Sequence, residues 1–331
     1  MTSIEPTPKM VDVFSDIERE TALKANPAGY AVTELAAEDE RIVTLTADLS
    51  NTLAEFREKF PERYIELGIA ETNSVSFAAG LAACGLVPYI YSMAPFGVLK
   101  TAEQLRTDVD YNHLPVRLVG RLSGLAMGYF GTSHYAVEDI AIARTLNNTV
   151  VIAPADAAST VALMRLTASL GAPVYIRIAE APEPVYSEPP VYEVGKWPKL
   201  TSGGHLTIAA HGIGVGLAVQ AAALLAERDG IEAEVLDAAF LKPFDEAALI
   251  ESAAKTGKVL TVEDHSEVGG LGSLVAEAVA RHRLPAALAQ LALPAADLEV
   301  GVPAELYEYY GLTVAGVRAS ALGLVKSGGA G

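Results

Sequence analysis

Short continuous apolar runs alternate along this chain with longer stretches whose apolar residues recur every three or four positions. Runs of the first kind suit strands covered on both faces, and stretches of the second kind suit amphipathic helices. Val11 to Asn26 reads as an amphipathic helix, and Pro27 opens a second helical run through Ala37. Strand-like runs follow at Arg41 to Ala47 and Arg63 to Leu67, then Val87 to Tyr91, Pro115 to Gly120, Thr149 to Pro154 and Pro173 to Ile178. Helical patterns separate them, at Lys100 to Tyr111, Ala136 to Leu146 and Ala157 to Leu170. This alternation predicts a parallel sheet with helices on both faces.

A stretch from Ala181 to Trp197 holding Pro182, Pro184, Pro189 and Pro190 reads as a linker. Beyond it the alternation resumes with Leu206 to Ala210, Val215 to Ala226, Ala233 to Leu236, Glu246 to Ala254, Val259 to Glu263 and Leu271 to Ala280. The expected fold class is α/β, with two doubly wound domains. The expected division is an N-terminal segment (1–26), a first domain (27–180), a linker (181–203), a second domain (204–325) and a flexible tail (326–331).

At 331 residues, 51% hydrophobic and 20% charged, the chain can bury a large core in two domains. A formal net charge of −17 opposes binding to nucleic acid or an anionic membrane. The single cysteine, Cys84, excludes a disulfide framework and is expected to be a buried small hydrophobe in a cytoplasmic protein. Met1 to Pro8 lacks the basic start and apolar core of a signal peptide. Thr72 to Leu99 carries no charge, but Gly80, Gly85, Pro88, Pro95 and Gly97 interrupt it, so a buried helix and strand fit better than a membrane span.

Candidate chemistry concentrates where apolar strands give way to polar turns. Glu71, after Gly68-Ile69-Ala70, stands at a strand-to-helix junction. A carboxyl there can take part in proton transfer, or can be a solvated residue favouring the helix dipole. Ala47-Asp48-Leu49-Ser50-Asn51 places a carboxylate and small polar residues at the end of a strand, where open parallel sheets bind ligands. Asp48 can equally be a turn residue. Ser92-Met93-Ala94-Pro95-Phe96 is an apolar patch ending in an aromatic ring, and Tyr129-Phe130 precedes Gly131-Thr132-Ser133-His134. Gly269-Gly270-Leu271-Gly272 can hold a phosphate, or can allow close strand-to-helix packing, and no basic side chain accompanies it. The histidines show no metal-ligand spacing.

The series Glu71, Met93, Phe96, Glu103-Gln104-Leu105-Arg106 and Thr132-Ser133-His134 resembles the pyrimidine-binding domain of transketolases. Glu263-Asp264-His265 and Tyr310-Gly311-Leu312-Thr313 resemble that family's C-terminal domain. The resemblance implies thiamine diphosphate as cofactor, with Glu71 on its aminopyrimidine and Phe96 stacked against the ring. It also implies that Asp48, Leu49, Ile69 and Met93 line the cofactor, and that His134, Tyr129, Phe130 and Asn51 face the substrate. The implied reaction moves a two-carbon ketol unit from a ketose to an aldehyde.

The resemblance covers nearly the whole chain but only the C-terminal half of a full-length transketolase, and the Gly-Asp-Gly diphosphate motif is missing. A split enzyme is therefore implied, in which Mg2+ and the diphosphate site come from a transketolase α subunit, as an α2β2 assembly. Ala25 and Glu180 stand where relatives place phosphate-binding arginines, Phe130 replaces an aspartate that reads a substrate hydroxyl, and Met93 replaces an aromatic. These departures point to an atypical substrate, with Arg121 or Arg177 as a replacement charge. The β subunit of a 2-oxo-acid dehydrogenase or acyloin-forming enzyme, and a non-catalytic interaction subunit, are the alternatives.

Overall fold

A computed structural model of the protein describes residues 26–179 and 184–327. The helix expected over Val11 to Asn26 lies outside the described residues except for Asn26, as do Ala25 and Glu180. The first sheet uses β1 (Ile42–Thr46), β2 (Tyr64–Glu66), β3 (Val87–Met93), β4 (Arg117–Arg121), β5 (Val150–Ile152) and β6 (Val174–Arg177). Its helices are α1 (Pro27–Glu38), α2 (Ala54–Lys59), α3 (Glu71–Ala83), α4 (Ala94–Val98), α5 (Ala102–Gln104), α6 (Asp139–Thr145) and α7 (Ala157–Ala168).

The second sheet uses β7 (Lys199–Thr201), β8 (Leu206–Ala210), β9 (Ala233–Asp237), β11 (Lys258–Ser266) and β12 (Ala287–Leu293), with β10 (Phe240–Lys242) set apart from it. Helices α8 (Ile213–Asp229), α9 (Glu246–Thr256), α10 (Leu271–His282), α11 (Pro303–Tyr309) and α12 (Val314–Ser327) complete the described residues. Both sheets are α/β layers, as the alternation predicts.

Local chemistry accounts for several element boundaries. Asn26 accepts a hydrogen bond from the Gly29 amide at 3.1 Å and Pro27 fixes the first helical φ, which starts α1. Asp156 and Ser159 form a reciprocal capping box at the start of α7. Gly230 takes the left-handed conformation (φ 67°) that ends α8, so Arg228-Asp229-Gly230 is a helix-to-strand turn. β1, β5 and β8 are buried at every position, which is why they read as continuous apolar runs.

The first sheet runs β10-β5-β6-β4-β3-β1-β2, parallel except for β10, which pairs antiparallel with β5. That edge strand comes from beyond the linker. The carboxyl ends of β1, β2, β3 and β4 lie on one edge, so the turns that follow them emerge together.

Three expectations change. The helix expected over Lys100 to Tyr111 is α-helical only over α5 and widens into a π-helix at Leu105–Asp110. Asp110 is buried there and accepts hydrogen bonds from the Asn147 and Asn148 amides and Thr149 Oγ1. Cys84 is exposed, because it follows the last turn of α3 rather than lying on that helix's packed face. The helix itself is only half covered, and Phe77 is 42% exposed on its open side.

The linker is also more ordered in its packing than its prolines suggest. Asp156 accepts from the Val185 and Tyr186 amides, the Tyr186 and Tyr192 hydroxyls donate to Asp237, and Trp197 donates to the Phe240 carbonyl. It is strapped to both sheets. Among the described residues no helix is long and apolar enough to cross a membrane.

Candidate functional site

Glu71 opens α3 as its first residue and is only 4% exposed. The chain reaches it through a turn at Gly68 (φ 68°), a conformation that a side chain would strain. Glu66 ties that turn to the neighbouring one, because its Oε1 accepts from both the Gly68 amide (2.9 Å) and the Asp48 amide (3.2 Å). Asp48 sits at a positive φ of 62° and is exposed, and Leu49 is half-buried with its amide donating to Thr46 Oγ1. Asn51 is exposed, as is Ile69 at 72%.

Met93 ends β3 half-buried, and α4 carries Phe96 immediately beyond it. Gly97 lets this helix lie close to the sheet, since a Cβ there would meet Leu118 Cδ1 at 3.2 Å and Ser92 Cβ at 3.3 Å. Lys100, just past the helix, donates to Glu71 Oε2 at 2.6 Å. Its side chain is half exposed while that of Glu71 is not.

After β4 the chain makes two 3-10 turns, Gly128–Phe130 and Thr132–His134, joined by Gly131 at φ 72°. The Tyr135 hydroxyl fastens them by donating to the Gly128 and Glu299 carbonyls. His134 does not cap α6, which starts at Asp139. Its ring contacts two aromatics: Phe130 is stacked on it (centroids 4.7 Å apart, planes at 27°) and Phe96 meets it edge-on (5.1 Å, 76°). Ser133 Oγ is 2.9 Å from His134 Nδ1. Tyr129 and Phe130 are both partly exposed.

The structure thus brings His134 into direct contact with Phe96 and Phe130, and it places Glu71 beside Lys100, just past the helix that carries Phe96. Asp48, Leu49, Asn51 and Ile69 lie on the same sheet edge. The arrangement offers a buried carboxylate, a half-buried aromatic face and an imidazole. Such a set can hold a flat heterocycle and move protons beside it. Among the described residues no group of three or more His, Cys, Asp or Glu side chains could hold a metal ion.

Arg177 does not supply a replacement charge for a substrate phosphate. It is fully buried, with Nε 2.9 Å from Asp139 Oδ2 and Nη1 2.7 Å from Asp264 Oδ1. Burial opposes its charge, but Asp139 and Asp264 outweigh that and hold the guanidinium above its usual range. Arg144 is likewise engaged, with Glu277 and the Gly269 carbonyl. The glycine-rich turn at Gly269 to Gly272 is filled from within: Glu263 accepts from the Leu271 and Gly272 amides at 2.7 and 2.8 Å. Close packing explains these glycines, since a Cβ on Gly270 would strike Glu263.

Lys100, Glu66 and Ser133 are additions to the residues expected at the site. Lys100 has a signal in the sequence, as the charge that ends the uncharged run from Thr72 to Leu99. Glu66 and Ser133 have none beyond proximity to chosen residues.

Two family models match this chain: the transketolase pyrimidine binding domain over residues 26–181 and the transketolase C-terminal domain over residues 195–317. An apulose-4-phosphate transketolase subunit from Phocaeicola vulgatus is 36% identical over 297 residues, covering 88% of this chain and 94% of that one. The 6-deoxy-6-sulfo-D-fructose transketolase subunit SqwH of a Clostridium species is 38% identical over 283 residues, covering 85% and 87%. A solved split gene transketolase, described as an inactive β4 tetramer, superposes with a TM-score of 0.84 at 38% identity, covering 91% of this chain and 97% of that one.

Proposed function

This chain belongs to the transketolase family, and we propose that it is the β subunit of a split, thiamine-diphosphate-dependent transketolase that transfers a two-carbon ketol unit from a ketose to an aldehyde with a partner α subunit. The observation that carries the site assignment is Glu71, a buried carboxylate at the head of α3 on the same edge as Phe96 and His134. Bound thiamine diphosphate supplies the carbon nucleophile and the electron sink for breaking and making the ketose carbon–carbon bond.

The residues present fit the pyrimidine half of that cofactor. Glu71 holds and moves a proton at its carboxyl oxygen, Phe96 presents a ring for stacking, and Met93, Leu49, Ile69 and Asp48 border them. His134 donates to or accepts from substrate oxygens, and Asn51 and Tyr129 line the approach. The functional division follows residues 27–180 and 204–325. Relatives named as transketolase subunits support a partner chain; on this reading the α subunit holds Mg2+ and the diphosphate, in an α2β2 assembly in the cytoplasm.

The substrate is atypical in the present reading. Phe130 covers one face of His134 with a hydrocarbon ring, and Arg177 is withdrawn into the interior. An acceptor poor in hydroxyls near its reacting carbon suits that wall better than a polyhydroxylated sugar phosphate. The relatives that act on apulose-4-phosphate or 6-deoxy-6-sulfo-D-fructose are already specialised by name.

The test is Glu71→Gln in the chain co-expressed with its α partner. Ketol transfer should fall by about 100-fold or more with the assembly intact. Unchanged transfer removes the site assignment, and carbon dioxide release from a 2-oxo acid without a 3-hydroxyl, in place of ketol transfer, removes the transketolase reaction.

A further inference from the structure

Glu71 is 4% exposed, and a carboxylate that deep needs a partner, since an unpaired buried charge is strongly unfavourable. Among the described residues its side-chain partner is Lys100, whose Nζ lies 2.6 Å from Oε2. The pair is lopsided: the glutamate side chain is 5% exposed and the lysine side chain 50%. Lys100 reaches in from the surface on a flexible stem.

An ammonium and a ring nitrogen ask opposite things of one carboxyl. Lysine only donates hydrogen bonds, so it takes the carboxyl as acceptor, whereas an unprotonated ring nitrogen accepts and takes the carboxyl as donor. With the ammonium on Oε2, the ionised carboxyl that Lys100 favours competes with the protonated one that the ring nitrogen takes.

We propose that Lys100 is a positioning residue that holds Glu71 in the cofactor-free chain, in place of the pyrimidine nitrogen, and swings out to solvent when thiamine diphosphate binds. This rests on the reading of Glu71 as the residue that faces the pyrimidine. Lys100 lies four positions after Phe96, beyond a helix pressed to the sheet at Gly97, so the stacking ring stays anchored while the lysine stem moves. The carboxylate is kept paired and oriented before assembly. Cofactor affinity is lowered in proportion, because only the fraction of chains with Lys100 withdrawn can bind.

The experiment uses the complex with the α partner and measures the dissociation constant of thiamine diphosphate at saturating Mg2+ for wild type, Lys100→Met, Lys100→Arg and Glu71→Gln. Lys100→Met should bind about tenfold more tightly, whereas Lys100→Arg, which keeps a cation on the carboxylate, should not gain. In the free β chain, Lys100→Met should lower the melting temperature, and Glu71→Gln added to it should restore most of the loss. Lys100→Met binding equally or more weakly, with Glu71→Gln weakened, overturns the role of Lys100 and leaves the Glu71 reading standing. Glu71→Gln binding as tightly as wild type overturns that reading and the proposal with it.

Discussion

Arg177, at the end of β6 in the first sheet, and Asp264, within β11 of the second, meet at 2.7 Å with neither side chain exposed. Asp139 takes the other side of the guanidinium, and the Ala136 and Asp264 carbonyls accept from Nη2. The contact joins the two sheets through a charge that water does not reach. Removing one partner strands the others, so Arg177→Met should cost about 3–5 kcal/mol of stability. Urea unfolding of the free β chain measures it; a loss below about 1 kcal/mol would mean that the interface holds without the pair.

Phe130 stacks on His134, which also makes an edge contact with Phe96. Such a contact contributes about 1 kcal/mol beyond the area buried, equivalent to about fivefold in rate. Phe130→Ala should therefore lower kcat/KM for an apolar aldehyde by about fivefold with little change in melting temperature. Phe130→Asp should shift preference toward hydroxylated acceptors, read from kcat/KM for a matched pair of aldehydes.

Asp237 and Glu263 predict opposite pH effects. Burial pushes the Asp237 carboxyl up to about 6, against hydrogen bonds from Tyr186 and Tyr192 that lower it. The folded chain therefore binds a proton there that the unfolded chain has lost, and stability falls as pH rises from about 4 to about 6, by about 3 kcal/mol. Asp237→Asn should remove that slope, seen as a difference in unfolding free energy between pH 4 and pH 7 that shrinks in the variant.

Burial also pushes the Glu263 carboxyl up, but His211, His265 and the Gly272 amide outweigh it and hold it below its usual range. Its contribution is complete above the ordinary glutamate value and is lost as pH falls through the lowered one. Glu263→Gln should weaken α10 at neutral pH and make the acid unfolding of the chain less steep, followed by circular dichroism.

Cys84 is exposed at the end of α3. One equivalent of an aromatic disulfide reagent should react with the native chain without denaturant. A thiol that reacts only after unfolding would contradict the structure here.

The alternation of apolar runs and helical stretches was enough to read both α/β sheets, because burial on both faces leaves a strand with no polar positions. Edge elements were not legible in the same way. β7 and β10 are three residues each, β12 is buried only at Leu293, and none carries the unbroken apolar run of a central strand. Phe240 to Lys242 reads as a continuation of the second unit, yet pairs with Val151 and Ile152 in the first sheet.

By itself the sequence determined the fold class, the family and the candidate residues Glu71, Phe96 and His134, because residue type and short spacing encode strand period, turn chemistry and motif. Tertiary structure alone decided what those residues touch. Lys100 reaches Glu71 across 29 positions and Arg177 reaches Asp264 across 87, distances over which no local pattern operates. It also decided that Cys84 faces outward and that Glu263 fills its own glycine turn. Hydrophobic period selects the face of an element that is buried, while packing between elements selects which charge meets which.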